Sequence, residues 1–383
     1  MMNDPMNSMN MPFSHLLIGS SLRAMELTPL ILLMGWQVFL VLIVRSDTIA
    51  LQGTIGRDAI RRYDRRLTIG ALAVILAAMV IGFGHESVMM SQRPLVELGP
   101  LIWPILTKTH FGHVMFARVV VWGCFALAWN RRSDSSDSPD SIVRGRGFLL
   151  VLGALWCLTR SLSGHAADQG NWSVDVLVDW LHLLAVSFWV GGVVPLALLA
   201  PLLIRHAEPS VARPLLIRLL ERFSPLAMSC VAVLVAAGLF SAHRRGVTLL
   251  APFQSDYGDL VSFKVVLTAA AVGLGGFSKF IVLPELHREM KTGKTLGIGR
   301  FRRAIGVEAG VLILVILAAA VLTQEPPAGN VSLTSGPMTH PPMKHSSVTP
   351  SPKVAPPSSN HGTKGNEGNQ GEQSHSMPGM PGM

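Results

Sequence analysis

Charge is scarce in this chain. Only 14% of its 383 residues are Asp, Glu, Lys or Arg, where a soluble domain carries about a quarter, so a water-facing surface of ordinary density is excluded. Cysteine is rarer still: Cys124, Cys157 and Cys230 are the three in the chain, and no two form a Cys-x-x-Cys pair. That excludes a disulfide framework and leaves packing inside apolar segments as their ordinary role, with relay of a soft ion through a bilayer as the alternative. Neither a phosphate-binding loop nor an Asp-Lys-Thr-Gly-Thr phosphorylation sequence occurs, which argues against an ATP-driven pump. The chain is not read as an enzyme.

What the sequence has in quantity is apolar length. Mean hydropathy is +0.43 and 49% of residues are hydrophobic. Apolar stretches long enough to cross a bilayer fall at 26–44, 67–84, 111–130, 147–164, 177–204, 224–242, 260–283 and 304–323. Backbone polar groups in lipid must be satisfied within their own segment, so each stretch is expected to be a helix. The fold class is therefore an all-α integral membrane protein of about eight transmembrane helices. The first span is too long for a signal peptide, and its basic flank follows the apolar run.

Orientation follows from the basic residues. Segments 45–66, 131–146, 205–222 and 288–303 hold twenty Lys or Arg, whereas the alternate loops hold four: Arg93, Lys108, Arg244 and Arg245. This asymmetry puts the basic loops in the cytoplasm and both termini outside it. The net charge of +9 then reflects topology and lipid contact, with no nucleic acid implied.

Four parts are expected. A methionine-rich external arm, with Met1, Met2, Met6, Met9 and Met11, covers 1–25. Two four-helix units follow at 26–164 and 165–323. They are related as a tandem repeat through Phe111-Gly112 with Arg118-Val119-Val120 and Tyr257-Gly258 with Lys264-Val265-Val266. From 324 to 383 the composition turns to Pro, Ser, Gly, Asn, His and Met, and an external disordered tail is expected.

Eleven of the thirteen histidines fall on the external side of this topology. His110 and His113 stand one turn apart at the mouth of the third helix with Met115 close by, His165 follows the fourth, and His85 and His243 end the second and sixth. His182 lies one turn beyond Asp179, a spacing at which a carboxylate can orient an imidazole for a metal. The tail ends with His375 and with Met377, Met380 and Met383 in Met-x-x-Met-x-x-Met spacing. Imidazole and thioether together select copper over harder ions. The plainer readings are histidines bonding headgroups or carbonyls, a solubilising tail, and Asp179 paired with Arg160. Lys279 and Glu308, inside the last two spans, are expected to pair, with snorkelling of the lysine as the alternative. Paired intramembrane histidines would also suit a haem-binding membrane cytochrome.

One set of residues carries a family resemblance. His182-Leu183-Leu184-Ala185-Val186-Ser187-Phe188-Trp189-Val190-Gly191-Gly192, Arg222-Phe223-Ser224-Pro225, Gly238, Tyr257-Gly258 with Lys264, Glu308 with the apolar run after it, and Gly164-His165 resemble the bacterial copper resistance D family. The resemblance covers residues 145–327 well and the first four helices loosely. It implies an eight-helix inner-membrane protein concerned with copper uptake or tolerance, working beside a periplasmic copper-binding protein, with His165 and His182 as metal residues. The alternative is a membrane partner that binds copper for assembly or sensing without transporting it.

Overall fold

The computed structural model describes residues 13–44, 57–133, 139–164, 166–167, 170–206, 209–244, 256–292 and 296–322. The N-terminal arm through residue 12, His165 and the tail with His375, Met377, Met380 and Met383 lie outside the described residues. The elements are α1 Phe13–Val44, α2 Arg57–Ser91, α3 Gly99–Lys108, α4 His110–Ser133, α5 Pro139–Ser161, α6 Val174–His206, α7 Pro209–Arg244, α8 Asp256–Phe277, a π turn Ser278–Val282, α9 Leu283–Thr292 and α10 Leu296–Leu322. No strand occurs among the described residues.

Seven spans among these are long and apolar enough to cross a membrane: α1, α2, α4, α6, α7, α10 and the run of α8 through the π turn into α9. Around the outside, Val80, Leu127, Val235, Val266 and Leu314 are each more than half exposed. An apolar outer face of that kind is matched to acyl chains.

The stretch expected to span at 147–164 departs from the others. Helix α5 ends at Ser161, and the apolar part between Arg146 and Arg160 rises only about 20 Å, short of a hydrocarbon core of ~30 Å. Its flanking arginines turn into the protein. Arg146 donates to Gln37 Oε1 (2.8 Å) and Asp64 Oδ2 (3.3 Å), while Trp36 Nε1 donates to Asp64 Oδ1 (2.6 Å). This buried network ties α1, α2 and α5 together near the end that bears the basic loops. Burial of the charges is tolerable because each has a partner.

Helix α1 carries apolar residues on more than one side and sits between two cores. Leu30, Leu33 and Met34 join a core made with α2, α4 and α5. Leu27, Ile31, Trp36, Phe39 and Leu40 join a second core made with α6 through α10. Where α1 crosses α6 the backbones touch at Gly35 and Gly191; a Cβ on Gly191 would stand 2.6 Å from Gly35 Cα and nearer still to the Ile31 carbonyl oxygen. Small residues permit this approach, on which packing between membrane helices depends.

The short helix α3 lies in what reads as a loop, and its Trp103 is 73% exposed. Thr109 ends it and caps α4, its Oγ1 accepting from Gly112 N at 3.0 Å. Ser173 caps α6 in the same way through Val176 N at 3.3 Å.

Candidate functional site

At the end of the bundle opposite the basic loops, α1, α2, α4 and α5 enclose a cavity of about 140 Å³. Met79 and Met115, both buried, and half-buried His85 line it together with Glu26, Glu86 and Arg118. Glu26 is 7% exposed. Its carboxylate meets Arg118 Nη1 at 3.2 Å and Arg160 Nη1 at 3.6 Å. Arg118 is held in turn by the Thr159 carbonyl oxygen (3.1 Å) and Ser163 Oγ (2.7 Å) at the end of α5. Arg23 also reaches the cavity, so three guanidiniums face two carboxylates there. A hard cation gains nothing from that balance. Thioether and imidazole, the other donor types in this lining, suit a soft ion, since they bind without needing negative charge.

The structure thus brings together His85, Met79 and Met115, and disperses other expected ligands. His110 and His113 are exposed at the start of α4, and His113 Nε2 is 2.9 Å from the Thr107 carbonyl oxygen. His243 is exposed at the end of α7, where its neighbour Arg244 grips Asp175 of α6 through Nη2 at 3.0 Å. His182 is half-buried on α6 with the Lys264 ammonium within electrostatic range. Among the described residues no hydrogen bond joins Asp179 to His182, and no group of three or more His, Cys, Asp or Glu could hold a metal ion. Arg160 pairs with Glu26, not with Asp179. The charge cluster around Glu26 is not anticipated from sequence; its one signal is an isolated glutamate at the edge of an apolar run.

A second cavity, about 280 Å³, opens between α6, α7, α8 and α10. Trp189, Phe223, Ser224 and Glu308 line it, and all four belong to the motifs that carry the resemblance. Gly192 is required here, because a Cβ would collide with the Phe223 ring. Lys279, in the π turn, donates to Met228 Sδ at 2.8 Å and lies 5.4 Å from the centre of the Phe280 ring. The expected pairing of Lys279 with Glu308 is not made.

Comparison with known proteins bears on both halves. Residues 16–174 match the copper resistance protein D-like N-terminal domain, and residues 217–322 match copper resistance protein D. The chain belongs to the copper resistance protein D family. The smaller cavity of this family member is lined from the first matched region, and the larger one mostly from the second. A protein of Bacillus subtilis (strain 168) named "Copper transport protein CutJ" is 31% identical over 170 residues, covering 44% of this chain and 28% of the relative. The matched stretch is thus under a third of that relative's length. No solved structure matches. Family membership and the run of apolar helices make this a multi-pass membrane protein with a copper-related role.

Proposed function

We propose that this protein carries copper ions across the bacterial inner membrane, inward, as part of copper homeostasis or resistance. The observation that supports this best is the convergence of Met79, His85 and Met115 on one cavity at the end opposite the basic loops. With those loops cytoplasmic, the cavity opens toward the periplasm and both termini lie outside. Eight crossings are then required, with α5 completing the first unit despite its short apolar run. Copper delivered by a periplasmic copper-binding protein, or gathered by the tail through His375, Met377, Met380 and Met383, would pass the rim histidines His110 and His113 and enter the cavity. Its onward route runs along the seam between the units 26–164 and 165–323, where His182 with Asp179 stands on the external side and His85 and His243 mark corresponding helix ends; His165, outside the described residues, is proposed as a further ligand on this route.

The test is cell-associated copper across a copper series. Cells expressing the intact chain should accumulate more cytoplasmic copper than control cells. His85→Gln combined with Met79→Leu and Met115→Leu should abolish the excess, while His287→Gln, exposed at the end that bears the basic loops, should leave most of it. Equal accumulation by the triple variant and the intact chain would overturn the assignment of this cavity. Copper held by the protein with no cytoplasmic excess would replace transport by an assembly or sensing role.

A further inference from the structure

The second cavity presents an unusual arrangement of charge. Glu308 is 3% exposed, twelve helical positions into α10 and so about 18 Å along it. Among the described residues its carboxyl has no ion pair and no hydrogen bond. It lies against bare backbone, since a Cβ on Gly275 would be 3.1 Å from Oε1. The other ionisable group lining the space is Lys279; α6, α7, α8 and α9 contribute apolar side chains, glycines, Ser224 and Met228 but no further charge. The lysine is directed away, onto the Met228 thioether and over Phe280. An ammonium beside a thioether, with a carboxyl unclaimed in the same cavity, is a poor arrangement if that carboxyl is ionised. It is the expected one if the carboxyl is neutral.

We propose that Glu308 is an intramembrane proton-binding site, loaded in the arrangement seen here, and that loss of its proton draws Lys279 from Met228 onto the carboxylate. The proton passes between the Glu308 oxygen and water entering the cavity; no other bond is made or broken. The π turn supplies the mechanical element. Lys279 sits within its five residues, Ser278–Val282, and a single wide turn inside a continuous helix can shift register at small cost, which is why such turns recur at functional sites. Ser278 Oγ, buried at the head of the turn and without a hydrogen-bond partner among the described residues, is available to either arrangement. Proton occupancy at Glu308 thereby sets the position of the α8–α9 run against α7 and α10. The coupling of this proton to copper movement rests on the transport reading above; the proton site does not.

Infrared difference spectra of the full chain in lipid nanodiscs, taken across a pH series, test the site. A carboxylic-acid carbonyl band should appear at neutral pH, titrate reversibly at higher pH, vanish in Glu308→Gln and persist in Glu86→Gln. Lys279→Met, which keeps an unbranched side chain without the charge, should move the midpoint of that band to higher pH, because the ammonium that stabilises the ionised form is gone. A Glu308→Gln spectrum identical to the wild type throughout, or a midpoint unmoved in Lys279→Met, overturns the proposal. Copper flux into proteoliposomes under imposed pH gradients then tests coupling: several-fold dependence on the gradient is expected in the wild type and none in Glu308→Gln. Equal gradient dependence in both overturns the coupling. Absence of flux in the wild type counts against transport itself, while the infrared result still decides the proton site.

Discussion

Alanine at Gly191 probes the crossing that joins the two halves. Its Cβ would stand 2.6 Å from Gly35 Cα and 2.8 Å from Gly35 N, whereas ordinary contact lies at roughly 3.5–4.0 Å between carbon atoms. Helices α1 and α6 must therefore separate by about 1 Å. Overpacking of this kind costs about 1–3 kcal/mol, and the separation also weakens dispersion contacts along the rest of the seam. The folded fraction relative to unfolded should fall by about 5- to 150-fold. Gly35→Ala meets the same backbone from the other side, so the double variant should cost clearly less than the two single costs added. Gly238 provides the reference: nothing lies within 4 Å of the point its Cβ would occupy, and Gly238→Ala should raise stability by about 0.5–1 kcal/mol through helix propensity alone. Thermal unfolding in detergent, followed by tryptophan fluorescence with Trp36 and Trp189 flanking the seam, reads all four variants. A Gly191→Ala midpoint at or above that of Gly238→Ala would refute the close-crossing argument.

Arg118→Ala should destabilise by about 3–5 kcal/mol, because it leaves the buried Glu26 carboxylate short of a partner; Glu26→Gln introduced with Arg118→Met should recover much of the loss in the same melt. Trp36→Phe removes the N–H donated to Asp64 at 2.6 Å and should cost about 1–3 kcal/mol, with Gln37 and Arg146 still holding the network. Gly275→Ala pushes a methyl against Glu308 Oε1 and should alter the Glu308 infrared band more than the melting midpoint; an unchanged band with a lowered midpoint would assign Gly275 to packing alone.

Most of the helical order is legible in the sequence, because lipid leaves the backbone little choice. Seven of the expected apolar stretches coincide with membrane-length helices. The stretch ending at 164 does not, since α5 stops at Ser161 and draws both flanking arginines inward. That outcome depends on Gln37, Asp64 and Glu26, partners far away in sequence that no local pattern reveals. Helix α3 is hidden for a different reason: ten residues starting Gly-Pro, with Pro104 inside, resemble a loop until the Thr109 cap is placed. Of the candidate ligands, His85 is found with Met79 and Met115 because helix ends that lie on one side of a membrane can meet. His110, His113 and His243 share that side yet turn outward, and side-chain direction is set by packing, which periodicity does not resolve here. The Lys279 and Glu308 pairing is not made: the lysine, in the π turn between α8 and α9, donates to the Met228 thioether instead.

The Gly35 and Gly191 crossing also sets an order of assembly. Helix α1 leaves the ribosome long before α6, and at about 5–20 residues per second the interval is roughly 10–30 s. Throughout it, Gly35 presents bare backbone to lipid, and Glu26 waits for Arg118 and then Arg160. Each newly made helix thus removes one defect from the one already in place: α4 and α5 quench the charge, and α6 covers the backbone. The joint that unites the two halves therefore closes only once α6 has been made, and a chain stalled before α6 would leave α1 as an incompletely buried segment open to capture by membrane quality control.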